Sequence, residues 1–547
     1  MIQKFLSVSF MSLLVVALFG CGHSQMSASV PASPPVHCLT FHYDNARLGW
    51  NSHETQLMPA TVNAKNFGKL WNQELDGSVP GSPLVVSNLA LGTQQRDVVF
   101  AATERNSVYA LEAATGNLLW VRRELAPPLS DAEFTGGWGA SVHGVLSTPV
   151  IDAATHTLYV CGLTRRGLRQ HHLVWALDLA TGKTKSGWPQ IVRGVYRGKT
   201  GTKDFITGEV MQRGALSLVG NWLLVPFGGR GDAPPWRGWV AAFDTRRPQA
   251  TPQLFCTCPF ADGAGIWSAG GLSATASGDI FGVTGNGEYD LPRGGDHLGQ
   301  SVFHLRSTAS GLRFTRTRAD YFTPANYQHL NDEDEDLGGA SALVLPDMPG
   351  AKTPHLLFTG GKDGLGYLLN RDHLGSVGGQ LQKLRLFGDD KAVYNEGIRA
   401  TAAYFDAGDK GRLIFVAGDQ PGPQEHKGMV ALRLRRDAAT GKVHFDPVWT
   451  LKEVLERPTT PVVSSQGNHN GIVWTVETEG QQKLGAALRA YDAVSGLPLY
   501  NSDSSGLADH LDYASRFVSP TVVNGRVFVS GNGITCYGLL PAASVQK

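Results

Sequence analysis

The chain has 547 residues, a formal net charge of +1 and no long run of Lys and Arg, so it lacks the basic patch typical of nucleic-acid-binding proteins. Its 66 glycines and 29 prolines supply many turns, and no long stretch shows the period of an amphipathic helix. Although this length often means several domains, large closed β structures form one domain, and the composition favours that arrangement.

The first 21 residues are typical of an export signal. Lys4 precedes an apolar run, residues 5–19, that is too short to serve as a membrane anchor. The run ends at Leu-Phe-Gly-Cys, which resembles a bacterial lipobox except that Phe19 stands where a small residue is usual. We therefore expect export to the periplasm or the cell exterior, with lipidation of Cys21 as the only membrane attachment. Ordinary signal cleavage is the alternative.

Residues 22–37 are rich in Ser, Ala and Pro, which predicts a flexible tether after the signal. Gly22, rather than an aspartate, follows the lipobox cysteine, and by resemblance to lipoprotein sorting signals this favours the outer membrane. We expect one folded domain over residues 38–541 and a short tail over residues 542–547.

A near-repeat runs through the expected domain. Each copy has an alternating strand, a Thr-Gly or Ser-Gly turn, and then Trp or Tyr. Copies lie at residues 108–120, 174–188, 430–449 and 488–500. Self-similarity at a period of about 40–60 residues, built from strands and tight turns, indicates a β-propeller.

The blades can be counted from their innermost strands. We expect these strands to begin near Gly81, Ser147, Gly214, Gly271, Gly338, Thr401, Pro461 and Pro520. This predicts an all-β fold with eight blades, and seven is the alternative. The last block, residues 517–540, has only three strands, so we expect residues 67–77 to supply the fourth and the two ends of the chain to close the ring together.

Five cysteines follow Cys21. Cys38 and Cys536 are a candidate disulfide, because the expected closure brings the two ends of the domain together. Cys256 and Cys258 would lie on the same face of a strand. With no neighbouring cluster of soft ligands, we expect them to be buried or free thiols rather than metal ligands.

Several stretches carry a resemblance to a known family. They lie at residues 42–51, 98–111, 147–152, 238–244, 265–271, 284–290, 320–324, 360–372 and 467–474. The chain resembles the quinoprotein-like, or PQQ-like, β-propellers, whose best-known members are eight-bladed alcohol dehydrogenases. More closely, it looks like secreted bacterial PQQ-like repeat proteins without a settled activity.

The resemblance to the dehydrogenases implies a specific site. It would need an aromatic floor for the quinone, a Ca²⁺ ion held by carboxylate and amide oxygens, and an aspartate base. Trp267 is the candidate floor, and Glu104, Asn286 and Asp336 are the candidate metal ligands. The chain departs from the methanol-type members because it has no pair of adjacent cysteines. PQQ and Ca²⁺ are therefore not the favoured cofactors, and the identity of any cofactor stays open.

The densest acidic segment, residues 331–338, immediately precedes an expected inner strand. A loop in that position faces the central funnel, where propellers bind ligands. We select Asp334 and Asp336 as candidate catalytic carboxylates. A solvated acidic loop and a Ca²⁺ ligand set are the alternatives.

Further candidates lie in loops that we expect at the inner rim. They are His143, Arg213, Asp232, Lys362, Asp363, Glu396, Arg399, Asn468 and Asn470. Of these, Arg213, Lys362 and Asn468 join Trp267 as candidate cofactor-binding residues. Arg213, Lys362 and Arg399 would form an anion-receptive rim if the fold brings them together.

The sequence thus predicts an exported propeller that binds a small molecule or anion in its central funnel. Three alternatives remain open. They are a PQQ- and Ca²⁺-dependent alcohol dehydrogenase, an enzyme acting on sulfur oxyanions that resembles tetrathionate hydrolases, and a scaffold lipoprotein that binds an outer-membrane protein partner through its rim loops.

Overall fold

In the computed structural model, the described residues are 36–134, 142–231, 234–389, 397–423, 426–478 and 485–541. They belong to one compact unit that begins at Val36. The predicted signal with Cys21, most of the predicted tether, Asp232, Glu396 and the predicted tail lie outside the described residues. Among the described residues, no helix combines the length and hydrophobicity needed to cross a bilayer.

Eight predominantly antiparallel sheets form an eight-bladed β-propeller, and the predicted count of eight is confirmed. Strands β1 (Trp50–Asn51) and β2 (Phe67–Glu74) come first in the chain. Blade 1 contains β3 (Leu84–Leu91), β4 (Gln94–Ala102), β5 (Val108–Glu112) and β6 (Leu118–Arg122). A hairpin of β7 (Leu129–Ser130) and β8 (Val142–His143) leads to blade 2, which contains β9 (Val150–Asp152), β10 (Thr157–Arg166), β11 (Arg169–Asp178) and β12 (Gln190–Ile191).

A second hairpin contains β13 (Val195–Arg197) and β14 (Thr202–Asp204). Blade 3 contains β15 (Val210–Met211), β16 (Ser217–Val219), β17 (Trp222–Gly229), β18 (Trp239–Asp244) and β19 (Gln253–Cys256). Blade 4 begins with β20 (Ser273–Ala274), β21 (Asp279–Val283), β22 (Val302–Thr308), β23 (Gly311–Arg313) and β24 (Tyr321–Thr323), and is followed by the short helix α1 (Tyr327–Asp332).

Blade 5 contains β25 (Leu343–Val344), β26 (Leu356–Gly360) and β27 (Leu365–Asn370). Next, β28 (Ser376–Val377) returns to pair with β24 of blade 4, and β29 (Gln382–Arg385) completes blade 5. Blade 6 contains β30 (Ala403–Asp406), β31 (Arg412–Ala417), β32 (Met429–Arg436) and β33 (Val443–Thr450). Blade 7 contains β34 (Val462–Gln466), β35 (His469–Glu477), β36 (Ala487–Asp492) and β37 (Pro498–Asn501). Blade 8 contains β38 (Thr521–Val523), β39 (Arg526–Ser530) and β40 (Gly533–Leu539).

The repeat recognised in the sequence joins neighbouring blades. Trp120 in the outer strand of blade 1 donates its indole N–H to the carbonyl of Leu179 in blade 2 at 3.0 Å. Gly182, in the Thr-Gly turn of blade 2, has a φ of 66° and lies against the Trp120 ring, leaving no room for a Cβ atom. Trp449 makes the same contact with blade 7, donating to Ala493 O at 3.2 Å. The repeat therefore specifies a joint between blades.

The ring is closed by the strand predicted from the sequence. β2 pairs antiparallel with β40, so blade 8 takes its outer strand from the N-terminal part of the domain and its other three strands from the C-terminal end. Asp509 supports this closure, because its carboxylate accepts hydrogen bonds from Lys69 N at 2.8 Å and from Tyr500 Oη at 2.9 Å. Closure removes the exposed sheet edges that an open ring would leave.

A feature absent from the sequence-based expectations is a plug, residues 38–51, that runs through the centre of the ring. It is hydrogen-bonded to the inner strand, or the residue just before it, in all eight blades. In blade order, its partners include Val85 O, Ile151 N, Leu216 O, Ala274 N, Val344 N, Tyr404 N, Val463 N and Val522 O. In the same order, the plug residues that make these contacts are Cys38, Leu39, Thr40, Asn45, Ala46, Leu48, Gly49 and Tyr43. The plug blocks the channel at this level.

Arg47 holds the plug together. Its side chain is fully buried and donates to Leu272 O at 3.0 Å, Ser217 Oγ at 2.7 Å and Thr40 Oγ1 at 2.8 Å. The carbonyl of Phe41 accepts a fourth bond at 2.8 Å. One guanidinium thus ties the plug to blades 3 and 4, and burial lowers its pKa to about 10.

The five described cysteines are buried and free, so the expected Cys38–Cys536 disulfide is wrong. Both ends of the domain do meet at blade 8. However, Cys38 lies in the plug and pairs with Val85 of blade 1, whereas Cys536 lies within β40. The expectation that Cys256 and Cys258 are buried or free thiols is confirmed.

Candidate functional site

The candidate site lies at one end of the central channel. It is built from loops that lead into the inner strands and from loops that follow the second strand of a blade. Arg213, Trp267 and Arg399 precede β16, β20 and β30, whereas Asn286 and Lys362 follow β21 and β26. Each inner strand starts at this end of the propeller and runs towards the opposite end. The hairpin that joins the first and second strands of a blade therefore lies at the opposite end.

Two adjoining cavities occupy this end, with volumes of about 750 Å³ and 220 Å³. Both are lined by Met211, Arg213, Arg399 and Phe517. The plug lies beneath them, because it contacts each inner strand further along than the residues that line the cavities. The cavities therefore form a blind funnel that a ligand enters from one face.

Four arginines line the larger cavity. They are Arg213, Arg399, Arg457 and Arg516. Glu104 is the one carboxylate among the described residues that line this cavity, and His143 also contributes to the wall. The lining of the larger cavity therefore contains more arginines than carboxylates.

Arg213 lies between two aromatic rings. Its guanidinium carbon is 5.1 Å from the centroid of the Trp267 ring and 4.7 Å from that of Phe517. Its Nε donates to the carbonyl of Trp267 at 3.0 Å, which fixes the orientation of the guanidinium group. Arg399 lies 6.0 Å from the Phe517 centroid and forms an ion pair with Asp419. Phe517 is thus the apolar centre of the arginine cluster.

The smaller cavity contains an ionic network centred on Lys362. The Lys362 ammonium lies 3.0 Å from Asp334 Oδ2, 3.0 Å from Asp336 Oδ2 and 3.0 Å from the carbonyl of Asp334. The ammonium group donates hydrogen bonds to the carbonyl and Oδ2 of Asp334 and forms an ion pair with Asp336. The two carboxylates hold the pKa of Lys362 above its usual value, although burial opposes them.

Asn286 supports the same carboxylates from the other side. Its backbone N donates to Asp336 Oδ1 at 2.5 Å, and its side-chain Nδ2 donates to Asp334 Oδ1 at 3.1 Å. Asp336 is buried, and desolvation raises its pKa above the usual range even though Lys362 opposes the shift. Asp336 is therefore a buried carboxyl at the wall of a cavity, and burial makes its ionised form less favourable than it would be in water.

Two of the residues predicted from the sequence lie elsewhere. Asn468, a predicted cofactor-binding residue, is exposed in the hairpin between β34 and β35, at the end of the propeller away from the cavities, and Asn470 is exposed in the same hairpin.

The three candidate metal ligands are divided between the cavities. Glu104 lines the larger cavity, whereas Asn286 and Asp336 line the smaller one. Within the described ranges, no group of three or more His, Cys, Asp or Glu side chains is arranged to hold a metal ion.

Three residues of the larger cavity were not among those predicted from the sequence. Arg457, Arg516 and Phe517 lie just ahead of the inner strands of blades 7 and 8. Their position relative to an inner strand is the same as that of Trp267 and Asp336, which were selected. Applying that positional rule to every blade would have identified them.

Comparison with solved structures gives the fold. A quinohemoprotein alcohol dehydrogenase from Pseudomonas putida is 14% identical with a TM-score of 0.61, and the match covers 93% of this chain and 81% of that one. The fold is that of the quinoprotein alcohol dehydrogenases.

Two further dehydrogenases agree with that result. A quinohemoprotein alcohol dehydrogenase from Comamonas testosteroni is 16% identical, with a TM-score of 0.56 and coverage of 92% and 80%. A europium-containing methanol dehydrogenase is 15% identical, with a TM-score of 0.58 and coverage of 91% of each chain. No protein-family model and no curated protein sequence matches the chain. At these identities the likeness extends to the fold alone.

Asp363 directly follows Lys362 in the chain and gives a first testable prediction. It is buried, and desolvation raises its pKa to about 7. The folded protein therefore binds a proton on Asp363 more tightly than the unfolded chain does. The contribution of Asp363 to the stability of the fold is fully present below about pH 4 and is lost as the pH rises through 7. We expect the melting temperature of the native protein to fall relative to that of Asp363→Asn between pH 5 and pH 8.

The measurement is a thermal melt of both proteins across this range. Asparagine can still accept from Leu365 N, which lies 3.2 Å from Asp363 Oδ1, and it resembles the protonated acid. Parallel pH profiles for the two proteins would contradict the assignment.

Proposed function

We propose that this protein binds a small oxyanion in its blind central funnel. The observation that supports this proposal is the wall of the larger cavity, which contains four arginines and one carboxylate, with Arg399 also paired with Asp419. Arginine forms paired hydrogen bonds with carboxylate, sulfonate and phosphate oxygens, and such pairs are strongest away from water.

The residues do not fit a quinone with Ca²⁺. The Trp267 ring, the predicted floor, has the Arg213 guanidinium carbon 5.1 Å and the Lys362 ammonium 5.6 Å from its centroid. Lys362 lies between the two aspartates that would face the metal ion, and Glu104 lines the other cavity. The PQQ- and Ca²⁺-dependent alternative is therefore not the one we propose.

The binding experiment uses isothermal titration calorimetry with sulfate, phosphate, thiosulfate, tetrathionate and malonate. We expect one of these anions to bind with a stoichiometry of one. Arg516→Met should weaken it about 10- to 100-fold, the range for loss of a charge-assisted hydrogen bond. Arg435→Met removes an exposed arginine at the end of β32 and should leave the affinity unchanged. Equal losses in the two variants would contradict a binding site in the funnel.

A second candidate function is hydrolysis of a sulfur oxyanion, which Asp336 favours. A buried carboxyl with a raised pKa takes up a proton more readily than an exposed one and can deliver that proton to a leaving group. If the protein consumes tetrathionate, Asp336→Asn should abolish turnover while retaining anion binding. Retained turnover in Asp336→Asn would remove Asp336 from the chemistry.

Export, lipidation of Cys21 and an outer-membrane protein partner remain proposals from the sequence. Mass spectrometry of the protein from membranes of a bacterial host would detect a diacylglyceryl group on Cys21. A Cys21→Ser variant recovered with the same membrane attachment would contradict the lipid anchor.

A further inference from the structure

Lys362 occupies a position that would suit a cation from outside the protein. Its ammonium is surrounded by three oxygens at 3.0 Å, from the side chains of Asp334 and Asp336 and the carbonyl of Asp334. Hard divalent cations select the same kind of ligands. The side chain is 9% exposed and therefore nearly enclosed.

We propose that Lys362 is a built-in cation that replaces a divalent metal ion in this funnel, so that the two aspartates are held without metal. This inference does not depend on which anion the funnel binds. Asp334 and Asp336 are the carboxylates that would face the metal ion in a quinoprotein-type site, and here Lys362 lies between them.

The hydrogen bonds around the two carboxylates support this assignment. Asp334 and Asp336 each direct one oxygen to Lys362 and the other to Asn286. Each of the four carboxylate oxygens is therefore either hydrogen-bonded by the protein or in ionic contact with Lys362. Asn286 turns its amide nitrogen towards Asp334, whereas a metal site would need its amide oxygen to face the cation.

The backbone holds Lys362 in place from both sides. Its N–H donates to Asp336 O at 2.9 Å, and its own carbonyl accepts from Gly397 N at 2.7 Å. Gly364, two residues later, has a φ of 77° and lies against the backbone of Phe387, so the turn tolerates no side chain there. The ammonium is therefore carried into the acidic loop by a constrained turn between β26 and β27.

Removing the ammonium should convert this network into a metal site. Lys362→Met leaves two carboxylates, the carbonyl of Asp334 and the side chain of Asn286 around the vacated position. We expect the native protein to bind Tb³⁺ weakly or not at all in the funnel, and Lys362→Met to bind one Tb³⁺ at least 100-fold more tightly. Trp267 lies close enough to sensitise Tb³⁺ luminescence, so excitation of tryptophan reports binding at this position.

Four further variants test where the signal arises and what it depends on. Lys362→Met combined with Asp336→Asn should lose the binding, whereas Lys362→Met combined with Trp267→Phe and Trp236→Phe, the two tryptophans that line this cavity, should bind by calorimetry without the sensitised emission. Lys362→Arg keeps a cation and should behave like the native protein. Lys362→Gln provides a second neutral variant in case Lys362→Met does not fold, as judged by circular dichroism.

Two results would overturn the proposal. One is saturable, tryptophan-sensitised Tb³⁺ binding by the native protein that Asp336→Asn abolishes. The other is the absence of Tb³⁺ binding in a folded neutral variant of Lys362.

Discussion

Replacing Arg47 with methionine is expected to lower the free energy of unfolding by about 3–5 kcal/mol, the range for breaking a buried ionic or hydrogen-bonded network. The substitution keeps an apolar stem but leaves the acceptors in Thr40, Phe41 and Ser217 without their donor. Because these acceptors are buried, water cannot replace the guanidinium. Urea unfolding followed by tryptophan fluorescence measures the loss.

The Arg47 result has a matched control. Arg435→Met makes the same chemical change at an exposed position and should alter the free energy of unfolding by less than about 0.5 kcal/mol. If Arg47→Met is as stable as Arg435→Met, the plug is not held by the guanidinium. Broadened unfolding in Arg47→Met would indicate that the blades have lost their common attachment.

Replacing Asp509 with alanine is expected to destabilise the ring closure by about 2–4 kcal/mol, since one buried and one partly buried donor lose their acceptor. The donors are the backbone N–H of Lys69 in β2 and the hydroxyl of Tyr500 in blade 7. Asp509 therefore holds the closing strand against the neighbouring blade. Hydrogen exchange measured by mass spectrometry should show faster exchange in residues 67–74 than in the remaining blades.

Replacing Asp509 with asparagine keeps the hydrogen-bonding groups at this position but removes the negative charge. The asparagine can accept from Lys69 N through its oxygen and donate to Tyr500 through its nitrogen, so we expect it to recover more than half of the stability lost in Asp509→Ala. Equal destabilisation by both substitutions would show that the negative charge, rather than the hydrogen-bond geometry, holds the closure.

The fold could be predicted from the sequence because its repeat is a local signal. Each Thr-Gly turn and the aromatic residue after it lie within about 15 residues, and the same contact recurs from blade to blade. The missing fourth strand of the last block then identified residues 67–77 as the closing strand. The plug was not predicted, because it contacts eight inner strands spread over the whole domain and no local pattern reports such contacts.

The candidate site was predicted in part for the same reason. The rule that residues ahead of inner strands face the funnel selected Asp336 and Trp267. Lys362 was selected for its Gly-rich turn, but the sequence could not reveal its contact with Asp334, 28 residues earlier. Asn468 was misplaced because a Gly-rich hairpin gives no indication of which end of the propeller it occupies.

The plug and the Lys362 network together define the chemistry open to this funnel. The plug makes the cavity blind, so water and ligand exchange through the same mouth. Lys362 neutralises part of the charge of Asp334 and Asp336, and arginines outnumber carboxylates in the wall of the larger cavity. This combination favours an anionic ligand over a planar quinone with a metal ion.

The most direct test of anion binding is a crystal structure of the protein soaked in selenate, measured at the selenium absorption edge. Selenate has the shape and charge of sulfate and is located by its anomalous scattering. We expect a strong anomalous peak within hydrogen-bonding distance of Arg213 or Arg516, and its loss in Arg516→Met crystals if Arg516 is a ligand. Selenate peaks confined to the outer surface of the propeller would contradict the proposal that the funnel is an oxyanion site.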